Sequence, residues 1–185
     1  MKILAFAASN SRNSINKSFV IHATEIFKRD IAPNADIEII DLNDFEMPLF
    51  SIDREQNAGI PEQAHRFLQA IREANALIVS YAEHNGSYTA AFKNLFDWTS
   101  RIDVKVYQNK PMVALSTSPG KRGGATVLNT VLSAAPRFGG DAVASLSVGS
   151  FNQSFDVEQG EIADRQLAAK LYEALSQLGG RLSAA

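Results

Sequence analysis

The chain has no cysteine among its 185 residues. Disulfides, thiolate nucleophiles and cysteine-ligated metals are therefore excluded, and redox chemistry would need a borrowed cofactor. It also lacks a strong charge of one sign: 18 basic against 20 acidic residues leave a formal charge of -2. No basic run is long enough to neutralise a series of phosphates, which argues against nucleic acid as a partner. No apolar run reaches the length of a membrane span. Met1 to Ala8 lead straight into an apolar strand and are too short for a signal peptide. A cytoplasmic protein without membrane insertion is expected. His22, His65 and His84 share no metal-ligand spacing, so no metal is expected. There is no G-x-S-x-G elbow, and serine hydrolysis has no support. What is present, 45% hydrophobic and 21% charged residues, is an ordinary globular composition. With no stretch of linker composition, residues 1–185 are expected to form one domain.

Five short β-branched, apolar runs read as strands: Lys2–Ala7, Asp36–Ile40, Ala76–Tyr81, Met112–Ser116 and Ala142–Val148. Between and after them, helical spacing covers roughly Asn16–Ile31, Pro61–Glu73, Tyr88–Arg101, Ala125–Phe138 and Glu161–Leu178. Regular alternation implies right-handed βαβ crossovers and a parallel sheet covered on both faces. That explains why Leu77, Ile78 and Val79 are continuously apolar. Five such strands suit an α/β three-layer sandwich with the flavodoxin-like order 2-1-3-4-5. In such a sheet the ligand binds beyond the carboxyl ends of the strands, at the switch point between the first and the third. The stretch from Asn43 to Gly59 exceeds a typical βα connection and is a candidate functional loop.

Three loops at that edge carry the polar groups. The first strand exits into Ser9, Asn10, Ser11, Arg12, Asn13, Ser14, Ile15 and Asn16. A helix amino terminus presents unpaired N–H groups and partial positive charge, to which short hydroxyl and amide donors and the Arg12 guanidinium add, a combination suited to a terminal phosphate. Capping by Ser14 or Asn16 is the plainer alternative. The loop lacks G-x-G-x-x-G and the Walker A lysine, which removes the dinucleotide fingerprint and the P-loop. It also lacks the acidic cluster of a receiver domain. After the third strand come Glu83, His84, Asn85, Gly86 and Ser87, where Asn-Gly permits a tight turn of positive φ that brings amides close to a flat ligand. In the helix that follows, Phe92, Leu95, Phe96 and Trp98 suit core or a subunit interface, and Lys93 with Asp97 fits an i,i+4 pair. The fourth strand leads into Ser118, Pro119, Gly120, Lys121, Arg122, Gly123 and Gly124. Its glycines allow close backbone approach to a ligand, or simply form a surface turn.

Taken together, Glu83, Asn85, Gly86, Ser87, Lys93, Asn94, Asp97 and Trp98 resemble, in register, the P-E-Y-N-G-S-x-P-x-x-L-K-N-x-x-D-W segment of NAD(P)H-dependent FMN reductases. Ser9, Ser14 and Asn16 are similar to that family's G-S-x-R-x-x-S-x-N phosphate motif, Ser118–Gly124 to its S-P-G-x-x-G-G loop, and Asp41–Leu42 with Met47–Phe50 to its second-strand exit. The chain departs from the pattern at Ala82, His84 and Thr89, and Arg12 lies one residue nearer Ser14 than the family arginine.

The resemblance implies FMN as cofactor, NAD(P)H as hydride donor, and a small-molecule acceptor such as a quinone, free flavin, azo compound or metal oxyanion, in a homodimer or homotetramer. It places Ser9, Ser11, Arg12, Ser14, Ile15 and Asn16 at the phosphate, Glu83 to Ser87 and Ser118, Pro119, Gly120, Gly123 and Gly124 at the ring, and Met47, Pro48, Leu49 and Phe50 on the substrate side. Lys121 and Arg122 are candidates for the NADPH 2′-phosphate. No side-chain acid, base or nucleophile is expected, because the cofactor carries the chemistry. A flavin reductase that releases reduced FMN to a partner enzyme and a non-enzymatic electron carrier are the rival expectations.

Overall fold

The apolar runs pair into a single parallel sheet in the computed structural model, which describes residues 1–184. Its strands are β1 (Lys2–Ala8), β2 (Asp36–Ile40), β3 (Ala76–Tyr81), β4 (Lys110–Thr117) and β5 (Gly140–Val148), in the order β2-β1-β3-β4-β5. Every pairing is parallel. The helices are α1 (Ile15–Ile26, continued by a π-helical turn Phe27–Ile31), α2 (Ile52–Ala58), α3 (Glu62–Glu73), α4 (Ala90–Ile102), α5 (Ala125–Ala134), α6 (Phe151–Ser154) and α7 (Arg165–Ser183). A small antiparallel pair, β6 (Phe155–Asp156) and β7 (Glu161–Ile162), stands outside the main sheet.

The pleat of β1 shows how one sequence serves two cores. Ile3 and Ala5 join Phe19 and Val20 of α1 and Leu171, Leu175 and Leu178 of α7 on one face. Leu4 and Phe6 join Phe67 and Ile71 of α3, Phe92 and Leu95 of α4, and Val127 and Val131 of α5 on the other. Successive side chains of a strand point to opposite faces, so a strand buried on both must be apolar at every position; β3 is buried at all six of its residues. Each large aliphatic or aromatic side chain so buried contributes about 1.5–3 kcal/mol. Phe92 and Leu95 lie in this core and Trp98 is buried, whereas Phe96 is only partly buried against it.

Three expectations shift. The long stretch from Asn43 to Gly59 is not bare loop: it holds part of a 3₁₀ turn (Leu42–Phe45) and α2, which Ser51 caps by accepting from the Arg54 N–H at 3.2 Å. No α2 residue is buried, so the helix needs no apolar stripe and leaves no helical period in the sequence. The last helix starts at Arg165, not Glu161. Asp164 caps it, and Glu161–Ile162 belongs to β7, a strand too short to leave a period. The helix expected from Tyr88 starts at Ala90, because Thr89 is its N-cap. Among the described residues no helix is long and apolar enough to cross a membrane, and no cluster of His, Asp or Glu could hold a metal ion.

Candidate functional site

The strand order places β1 and β3 side by side, and the chain leaves β1 toward β2 on one side and β3 toward β4 on the other. Their carboxyl ends open a crevice. Ser9–Ser14, Ala82–Thr89 and Ser118–Gly124, which follow β1, β3 and β4, all lie at this edge.

In the first loop Ser14 caps α1, its Oγ accepting from the Lys17 N–H at 3.3 Å. Ser9 is buried and its Oγ accepts from the Ser11 N–H at 3.2 Å. Asn10, Ser11, Arg12 and Asn13 are exposed, and among the described residues Arg12 makes no ion pair. Asn16 has a different role from the one its position suggests. Only 3% exposed, its Oδ1 accepts from the Thr117 N–H at 3.1 Å and the Ser80 hydroxyl at 2.8 Å, while its Nδ2 donates to the Thr117 carbonyl at 3.1 Å. The amide imitates a peptide group and extends the β4 ladder into the start of α1. It is a clamp within the protein, and its acceptor is already fully engaged.

The second loop closes tightly. His84 and Ser87 exchange two backbone hydrogen bonds, at 3.0 and 3.1 Å. Asn85 and Gly86 between them take φ of 52° and 74°, the two left-handed residues of a type I′ turn, which Asn-Gly adopts with least strain. The amides of Asn85 and Gly86 have no partner among the described residues and the turn is exposed, so two N–H donors are free for a ligand. Below it, Thr89 is buried. Its Oγ1 donates to the Ala8 carbonyl at 3.0 Å and accepts from the Phe92 N–H at 3.2 Å, joining the end of β1 to the start of α4. A proline here would provide neither bond. Tyr81, at the end of β3, and Tyr107 are buried with their hydroxyls 3.1 Å apart. Burial pushes both phenols well above their ordinary range, and Tyr88 upward to a lesser degree.

The third loop is built on close backbone approach. Gly123 and Gly124 have φ of 60° and 77°. A Cβ on Gly123 would lie 2.5 Å from the Val148 carbonyl carbon and 2.6 Å from the Gly149 nitrogen. The Gly123 carbonyl accepts from the hydroxyls of Ser116 (2.8 Å) and Ser147 (3.0 Å), and the Ser118 and Gly120 carbonyls accept from the Phe151 and Ser150 amides. As N-cap, Gly124 offers α5 no side-chain acceptor. Glu83 supplies one from the neighbouring loop, its Oε2 accepting from the Val127 N–H at 2.9 Å. A carboxylate near the positive end of a helix is favoured by charge as well as by geometry. Glu83 therefore ties the second loop to the third. Lys121 and Arg122 stand exposed at the tip.

Beside the first loop, Asn10, Leu42, Phe45, Met47, Leu49 and Ala91 help line a cleft of about 220 Å³. Its outer wall is held by α4. Asn94 accepts from the Phe50 N–H at 2.8 Å and donates to the Met47 and Pro48 carbonyls, and the Trp98 indole N–H donates to Pro48 at 2.8 Å. Lys93 and Asp97 form the expected i,i+4 ion pair at 2.7 Å. Behind the first loop, Lys17 reaches Asp41 at 2.5 Å, and that hydrogen bond, followed by one from the Asn43 amide, holds the Asp41 carboxyl below its ordinary value. The sequence pointed to no role for Ser80, Thr117 or Asn94, and for Trp98 to core or an interface rather than to a hydrogen bond that holds this wall. Asn94 and Trp98 stood in the motif, but their partners lie more than 40 residues away along the chain.

Comparison with known proteins agrees with this architecture. Residues 1–154 match the family described as NADPH-dependent FMN reductase. An NADPH:quinone oxidoreductase of Arabidopsis thaliana is 32% identical over 124 residues, 67% of this chain and 61% of the relative. An NAD(P)H-dependent FMN reductase of Pseudomonas aeruginosa is 30% identical over 123 residues, 66% of this chain and 63% of the relative. The chain thus spans less than two thirds of the length of these relatives. Among solved structures, the flavoenzyme NAD(P)H:(acceptor) oxidoreductase FerB of Paracoccus denitrificans superposes with a TM-score of 0.74 at 19% identity, covering 99% of this chain and 97% of that one, and so shares its fold. The chain belongs to the NADPH-dependent FMN reductase family.

Proposed function

We propose that the protein is an FMN-dependent oxidoreductase that passes two electrons from NAD(P)H to a small acceptor such as a quinone, free flavin or azo compound. The observation that carries this reading is the pair of free amides on the Asn85–Gly86 turn, at the same edge as a polar helix-start loop and a glycine-built third loop. Bound FMN would supply hydride acceptance from the nicotinamide and two-electron delivery to the acceptor, in successive steps at one open face.

The chain's own residues do the rest. Ser9, Ser11, Arg12 and Ser14, with the first amides of α1, would hold the phosphate by charge and by N–H donation. Asn16 acts indirectly, fixing the start of α1 against β4. The Asn85 and Gly86 amides are donors fixed before any ligand arrives, and such dipoles stabilise negative charge without reorganisation. The Ser118–Gly124 loop would cover the ring's polar edge, and Met47 to Phe50, buttressed by Asn94 and Trp98, would line the acceptor side. Lys121 and Arg122 would meet the 2′-phosphate of NADPH. An Arg122→Ala variant should lower catalytic efficiency with NADPH more than with NADH, and an unchanged ratio would remove that assignment.

Leu49 of the cleft wall and Ile52 at the start of α2 are exposed apolar residues suited to a homodimer or homotetramer, for which light scattering gives the answer. The central test is fluorescence titration with FMN followed by anaerobic mixing with NADPH. Stoichiometric uptake and rapid bleaching of the flavin band are expected, and a protein that takes up no FMN would refute the proposal.

A further inference from the structure

We propose that Asn85 is a site of spontaneous, ligand-controlled deamidation. Asn85–Gly86 is the sole Asn-Gly pair in the chain. Both residues are exposed, and neither the Gly86 amide nor the Asn85 side chain has a hydrogen-bond partner among the described residues. Gly86 has no Cβ to shield its nitrogen, and the space around it is open, the nearest atom to a Cβ there being a Thr126 methyl at 3.7 Å.

The chemistry needs only water. The deprotonated Gly86 nitrogen attacks the Asn85 side-chain carbonyl carbon, a C–N bond closes a five-membered succinimide, and the side-chain nitrogen leaves as ammonia. Hydrolysis at either ring carbonyl then gives aspartate or isoaspartate. One water is consumed, one ammonia is released, and no electrons are transferred. The product carries a new negative charge, and in the isoaspartyl form an extra backbone carbon, within the turn whose two amides are the free donors of the site.

The fold gates this reaction. The two His84–Ser87 backbone bonds hold Asn85 in the left-handed well at φ 52°, where ψ lies near +47°. Ring closure requires ψ outside that well, so the turn must open before attack. A ligand that binds only the closed turn lowers the open population by the factor 1 + [L]/Kd. This protective part rests on the proposal that FMN occupies the site; the reaction in the unliganded protein does not.

The test is peptide mass spectrometry on full-length protein aged in mildly alkaline buffer, without ligand and with FMN at ten times its measured Kd. Asn75 falls in the same tryptic peptide and is an internal reference: it precedes Ala76, and its Oδ1 accepts from the Lys2 amide at 2.7 Å. The amide-to-acid mass gain should accumulate at Asn85 and not at Asn75, about tenfold more slowly with FMN. Gly86→Ala should slow it in the unliganded protein. Loss of the Asn85 amide no faster than that of Asn75 overturns the proposal. Equal rates with and without FMN, in protein shown by fluorescence to bind it, overturn the gating. Failure to bind FMN at all refutes the proposed function while leaving conversion in the unliganded protein to be read directly.

Discussion

Replacing Asn16 by alanine separates a clamp from a ligand donor. The side chain is 3% exposed and makes three hydrogen bonds, two to the Thr117 backbone and one from Ser80. Alanine leaves the Thr117 N–H, the Thr117 carbonyl and the Ser80 hydroxyl without these partners in a site closed to bulk water. Each buried group left unsatisfied costs about 1–3 kcal/mol. A water entering the vacated space would recover part of this. The expected net loss is about 3 kcal/mol, a large share of the roughly 5–15 kcal/mol by which a domain is stable. Asn16→Asp should also destabilise at neutral pH, because it sets a carboxylate oxygen against the Thr117 carbonyl. The assay is urea unfolding of FMN-free protein followed by far-UV circular dichroism. If Asn16 served only a phosphate, its removal from FMN-free protein would change stability by less than about 0.5 kcal/mol, as surface substitutions do. A measured loss below about 1 kcal/mol would refute the clamp.

Glu83→Ala removes the acceptor at the start of α5 and should cost about 1 kcal/mol, the usual value of an N-cap. Amide exchange at Val127 should accelerate and FMN binding weaken, whereas Glu83→Gln, which keeps an acceptor, should restore slow exchange. Gly123→Ala sets a Cβ 2.5 Å from the Val148 carbonyl carbon at φ 60°, so both contact and conformation oppose it. A loss above about 2 kcal/mol is expected from such strain, and normal melting would show that the loop yields more easily than its packing suggests. His22 is buried against Phe155, and its Nε2 accepts from the Ile162 N–H at 3.4 Å. Burial lowers its pKa below the ordinary 6.5, opposed by Glu25 and Glu161 and aided by Arg29. The unfolded chain then binds this proton more readily than the native state. The His22 contribution is whole above pH 6.5 and is lost as pH falls from there toward the folded pKa. Chemical denaturation across that window should show a smaller acid-side loss in His22→Gln than in the wild type.

Much of the fold was legible because its signals are local. Strands buried on both faces must be apolar throughout, and Leu77, Ile78 and Val79 announce this without reference to anything distant. The Asn85–Gly86 turn is equally local, since left-handed φ at two successive residues restricts the choice of amino acid. Elements without a strong local signature went unseen. No residue of α2 is buried, and β6 and β7 span two residues each.

The alternation of elements, the edge at which the polar loops gather, and the residue types those loops carry all follow from local features of the chain. What each side chain is free to do depends on contacts made across the fold. Asn16 and Glu83 sit in loops whose composition suits a ligand, yet Asn16 is engaged by Thr117, 101 positions away, and Glu83 by Val127, 44 positions away. Arg12, with no ion pair among the described residues, and the Asn85 and Gly86 amides are left open. A hydrogen bond is fixed by distance in space, and separation along the chain does not encode it. Which polar groups remain for a ligand is therefore settled only when the strands have paired and the loops have met.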